Sequence, residues 1–118
     1  MDLLAFAVSP DEHWAATLLR VRETGYWLES LYQRTADGWT EHMTSNGVLA
    51  YTGISEAHDG TTIGVLRYHG KAPADSQSAL VRWRGEVREV QVQRGHFAFA
   101  AWNASERESH APEVVGFR

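Results

Sequence analysis

Apolar and polar residues alternate most regularly between Val81 and Trp102, in the stretch VRWRGEVREVQVQRGHFAFAAW. A period of two sends successive side chains to opposite faces of a strand. Val81 and Trp83 therefore share one side, and Arg82 and Arg84 the other. Gly85-Glu86 predicts a tight turn. Val90 and Val92 then face inward, with Glu89, Gln91 and Gln93 outward. Val87 is out of phase with Val90, which predicts a β-bulge near Arg88 or Glu89. Arg94-Gly95 predicts a second turn, after which Phe97, Phe99 and Ala101 share a face. Residues 79–102 thus read as a three-stranded meander with one wet face. Arg82 and Arg84, joined by Arg88 and Arg94, form an outer ladder there, with Glu86 and Glu89 as cross-strand partners.

The same reading extends upstream. Trp14, Leu18 and Val21 fit a helix opened by Ser9-Pro10-Asp11-Glu12, but Thr17, Leu19 and Val21 alternate as in a strand. A strand over about 13–22 is the preferred reading. YWLESLYQR, from Tyr26 to Arg34, is a strand with Tyr26, Leu28 and Tyr32 on one side and Trp27, Glu29, Leu31 and Gln33 on the other. Asn46-Gly47 predicts a type I′ hairpin turn between WTEHMTS and VLAYTGIS. TTIGVLRYHG is a further strand, with Ile63, Val65 and Arg67 alternating against Thr62, Leu66 and Tyr68. The polar stretch NASERESHAPE is irregular, and VVGFR supplies a short last strand. Turn signals recur about every ten residues, which points to an all-β fold. The expectation is one domain over 1–118, an antiparallel β-sandwich of seven or eight strands, with a small β-barrel as the alternative.

Composition narrows the chemistry. The chain of 118 residues contains no cysteine, which removes disulfides, thiolate zinc sites and thiol nucleophiles. The apolar run Leu3 to Val8 has no basic segment before it and falls far short of the about 20 residues of a membrane span. A cytoplasmic location is expected, or a secreted one if a leader has been removed. The net charge is −4, and the second half from Ile63 is only weakly basic. Nucleic acid is therefore not an expected partner, because that binding neutralises several phosphates at once. Arginine so outnumbers lysine, and isoleucine is so scarce, that a GC-rich bacterial genome is the expected source.

The segment HGKAPADSQSALVRWRGEVREVQVQRGHFAFAAW resembles the closing part of small bacterial β-sandwich proteins. Gly70, Ala72, Pro73, Val81, Gly95, Phe97 and Trp102 carry the resemblance, over about the last third of the chain. It implies an immunoglobulin-like arrangement and brings no catalytic residues.

Candidate chemistry is sparse. There is no Gly-x-Ser-x-Gly elbow and no phosphate loop, and no nucleophile, base and orienting group can be assigned. No catalytic residue and no cofactor is expected. Glu56, His58 and Asp59 share one loop and are the weak candidates for a metal, though a site also needs a ligand from elsewhere. The five tryptophans offer more. Trp83 and Trp102 end apolar strands and read as core. Trp39 follows a turn beside Thr40 and Glu41 and reads as exposed, and Trp27 alternates with Glu29. Exposed indoles stack on sugars or anchor protein interfaces. The expected function is a non-catalytic binding or protein-interaction module, using Trp27, Trp39, Arg82 and Arg84. A carbohydrate-binding module with Trp39 as platform is the alternative, and a metal protein or hydrolase the second alternative. Homodimerisation through sheet faces would equally account for the aromatics.

Overall fold

The computed structural model describes residues 2–46, 50–54, 62–105 and 111–118. Ten strands are present among them. They are β1 (Asp2–Val8), β2 (Trp14–Arg20), β3 (Trp27–Thr35), β4 (Gly38–Asn46), β5 (Ala50–Ile54), β6 (Ile63–Lys71), β7 (Ser78–Trp83), β8 (Glu86–Gln91), β9 (His96–Trp102) and β10 (Glu113–Phe117). They form three open antiparallel sheets, β1-β2-β3-β4, β5-β6-β9 and β10-β7-β8. The fold is all-β as expected, with more strands than the seven or eight anticipated and no closed barrel. The first sheet is strictly sequential, whereas an immunoglobulin domain orders its strands A-B-E-D and C-F-G. Among the described residues no helix is long and apolar enough to cross a membrane.

The β5-β6-β9 sheet is covered on both sides. Trp14, Ala16, Leu31, Ile54 and Val65 form one core between it and the first sheet, with Trp102 packed against them. Leu66, Ala79, Val81, Trp83, Phe97, Phe99, Ala101 and Ala104 form the other core, against β7 and its neighbours. Alternation along β6 explains how one strand serves both: Val65 and Leu66 point oppositely and both are buried. Arg67 follows Val65 on the first of these faces and is completely buried. Its Nη1 lies 3.4 Å from Glu29 Oε2 on β3, and its Nη2 donates to the Ser30 carbonyl at 3.2 Å. Burial pulls the Arg67 guanidinium below its ordinary pKa, and Glu29 opposes that shift.

Ser9-Pro10-Asp11-Glu12 makes a turn, and the β1–β2 hairpin closes around it. The Glu12 amide donates to the Ser9 carbonyl at 2.9 Å, and the Trp14 amide donates to Ser9 Oγ at 3.1 Å. The strand reading of β2 is correct. β1 was not anticipated at all. Its start is tied down by Asp2, whose Oδ1 accepts from Arg22 Nη2 at 2.7 Å while its Oδ2 lies 3.5 Å from Arg94.

Three expectations are corrected. β4 and β5 are not neighbours: β4 pairs with β3 and β5 with β6, so these two strands do not form the expected hairpin, and Gly47 of its turn lies outside the described residues. The 79–102 meander is broken. β9 leaves β8 after a single bridge between Gln93 and His96 and pairs with β6 instead. Lastly, β7 and β8 pair in regular register without a bulge. Their turn is Arg84-Gly85, with φ of 53° and 76°, the two positive values a type I′ turn requires. Without the bulge all of β8 keeps the phase of Val90, which packs against the core as expected. Val87 is left exposed, and Arg88 lies over the Phe99 ring on the inner side.

Candidate functional site

The outer face of the β1–β4 sheet has no layer against it among the described residues. Register places its side chains in rows across the strands. Leu3, Leu19 and Leu28 form one row, and Phe6, Thr17, Ser30 and Thr44 the next. Val8, Ala15, Tyr32 and Glu41 form the third, and Arg34 and Trp39 the last. A bulge between Leu3 and Ala5 brings Leu3 and Phe6 to the same side despite their spacing of three. The result is a groove of about 350 Å³ lined by Leu3, Phe6, Ala15, Thr17, Leu19, Tyr32 and Trp39. Phe6 is 58% exposed, Leu3 48% and Trp39 45%.

One polar line crosses this apolar face. Thr44 Oγ1 donates to Glu41 Oε1 at 2.8 Å. A hydroxyl has one hydrogen, so Ser30 Oγ is the donor in its 2.9 Å contact with Thr44 Oγ1. Thr17 stands next to Ser30 in register, yet its buried hydroxyl has no hydrogen-bond partner. The line therefore begins at a free hydroxyl on the groove floor and ends on a carboxylate at the rim. Among the described residues the face carries two charged side chains of opposite sign, Arg34 and Glu41, and the Arg34 guanidinium lies 5.9 Å from the Trp39 ring centre.

The sequence-derived residues are scattered rather than gathered. Trp39 is exposed on this face, as read. Trp27 is half-buried on the opposite face of the same sheet. Its ring stacks on His69 at 3.7 Å between centroids and meets His96 edge-on at 5.7 Å. The two tryptophans cannot form one platform. Arg82 and Arg84 belong to the β10-β7-β8 sheet and do not form a ladder. Arg82 lies 3.6 Å from Glu113, and Arg84 sits in the turn, donating to the Asn103 carbonyl at 2.8 Å with its guanidinium over Trp83. Glu89 is engaged by Ser78 and Arg118, not by these arginines. The wet face of that sheet is thus largely neutralised from within. Glu56, His58 and Asp59 lie outside the described residues. Among the described residues no group of three His, Asp or Glu side chains is placed to hold a metal ion.

The groove residues other than Trp39 escaped the sequence reading. The signal that could have found them is the apolar run Leu3 to Val8, whose bulge hides its alternation. Neither a family model, nor a curated protein, nor a solved structure matches the chain.

Proposed function

We propose that the protein is a non-catalytic interaction module that binds a protein partner through the outer face of β1–β4. The observation that supports this most is the open apolar groove between Leu3, Phe6, Tyr32 and Trp39. Soluble proteins rarely leave a contiguous apolar patch without using it. Aromatic anchors surrounded by short side chains are also the usual makeup of interface hot spots. The arginine-rich sheet is the weaker candidate, because Arg82 and Arg84 already have partners within the chain.

Carbohydrate binding is the second reading, favoured by the exposed indole of Trp39. Sugar hydroxyls need several polar partners, and the walls of this groove offer few. Photocrosslinking from inside the source cells tests the first reading. A benzophenone side chain replacing Phe6 is expected to form protein adducts that the same group at Val87, exposed on the other outer sheet, does not. Absence of adducts from position 6, together with retention on an oligosaccharide that Trp39→Ala abolishes, would move the assignment to sugar binding.

A further inference from the structure

We infer that the occupant of this groove is a second copy of the chain, docked face to face through β1–β4 about a two-fold axis. The inference rests on the interaction reading above and adds the identity of the partner. Its first support is relief. The middle of the face is low, at Ala15, Thr17 and Ser30, all of them buried. Tall side chains stand around it, Phe6 on β1, Tyr32 on β3 and Trp39 on β4. An axis in the interface plane, parallel to the strands and midway between β2 and β3, interchanges those two strands. It sets the Tyr32 ring of each copy above Ala15 of the other, and Leu19 above Leu28. Stacked sheets lie about 10 Å apart, which the height of a tyrosine largely spans above an alanine. The phenol tip then reaches the groove floor, where the Thr17 hydroxyl has no partner.

Charge is the second support. The chain carries a net −4, yet among the described residues this face holds one cation and one anion, Arg34 and Glu41. Two copies can therefore meet here without the repulsion their overall charge would impose. The third support is area. Four strands at about 4.8 Å spacing, with strand lengths of seven to nine residues, give a footprint of about 500 Å² per copy. Two copies together bury about 1,000 Å², the lower bound for a specific interface. The dimer is accordingly weak and concentration-dependent, with a dissociation constant in the micromolar range.

Sedimentation velocity on the purified full chain, from about 1 µM to about 500 µM, reads this range directly. A monomer–dimer transition is expected. Phe6→Arg and Tyr32→Ala should each weaken it by at least about 30-fold, the effect of losing an interface anchor. Arg82→Gln on the other sheet should leave it unchanged. Circular dichroism and thermal unfolding establish that the variants fold, and Trp39→Arg replaces any that does not. A chain that stays monomeric throughout overturns the inference, as does a dimer indifferent to these substitutions. The in-cell crosslink from position 6 separates the two levels. An adduct with a different protein, alongside a monomeric purified chain, overturns the second copy and leaves the interaction reading standing. No protein adduct and no dimer overturn both.

Discussion

Arg67→Met is the substitution whose outcome says most about how the layers are held. The guanidinium sits between two sheets with no exposed surface, beside a Glu29 side chain that is itself buried. Removing it strands a carboxylate in the core and takes a donor from the Ser30 carbonyl and from Thr52 Oγ1. Breaking one side of a buried pair costs about 3–5 kcal/mol. For a chain of this size each kcal/mol moves the midpoint by about 4 °C, so Tm should fall by about 12–20 °C. Glu29→Met should cost a comparable amount by stranding the cation. The double variant tests the cause. The pair is incompletely satisfied, since the buried Arg67 Nε has no hydrogen-bond partner. Two methionines of similar volume should therefore restore stability to within about 1 kcal/mol of the parent, or exceed it. Thermal and denaturant unfolding of the four proteins close the cycle. An Arg67→Met protein as stable as the parent, or a double variant as damaged as the sum of its singles, would refute the argument that charge burial dominates at this site.

Three further outcomes follow from other parts of the molecule. The hydrogen bond from Arg22 holds the Asp2 carboxyl below its ordinary value of 3.8, so its contribution to stability is present above that pH and disappears as pH falls through the lowered value; Asp2→Asn should be less stable than the parent near neutrality, and the two should converge in acid, as read by unfolding across a pH series. Gly64→Ala should destabilise by about 1–3 kcal/mol, because an added Cβ collides with the Ala104 carbonyl and the Tyr51 ring; a denaturant midpoint equal to the parent's would refute this. Thr17→Val removes a buried hydroxyl that has no partner within the chain, so the monomer should gain about 1 kcal/mol in denaturant unfolding at low protein concentration.

How much of this was legible in the sequence varied with the range of the interactions involved. Period-two alternation located β3, β6, β7 and β9, because each has a buried side that selects its pattern. The facing of Trp83, Val81, Phe97 and Phe99 followed directly. β1 was missed because its bulge puts Leu3 and Phe6 on one face at a spacing of three, which breaks the period-two signature of a strand. The β8 error was smaller in origin and larger in effect. With no bulge in β8, Arg88 keeps the inward phase of Val90 and Val87 falls outward. Asn46-Gly47 had the local chemistry of a hairpin, yet tertiary pairing sent β4 and β5 to different sheets. No local signal records that choice.

The candidate site shows the same division at the level of function. Trp39 was recognisable as exposed because its immediate neighbours, Thr40 and Glu41, are polar. Trp27 could not be placed, because the group that settles its face is His69, some forty residues away on β6. The arginines read as a surface feature, but their partners Glu113 and the Asn103 carbonyl come from other parts of the chain, and those contacts tie the side chains to the molecule itself. An apolar sheet face differs in this respect. Once the core is full, nothing remaining among the described residues covers Phe6, Leu3 and Trp39, and keeping them in water has a cost that burial would reverse at about 25 cal/mol per Å². The drive to cover this face is therefore a property of the fold itself, whereas the arginines of the opposite sheet already have partners within the chain and sit in water at no comparable cost. That asymmetry, more than any single residue, is the reason to seek the partner at β1–β4.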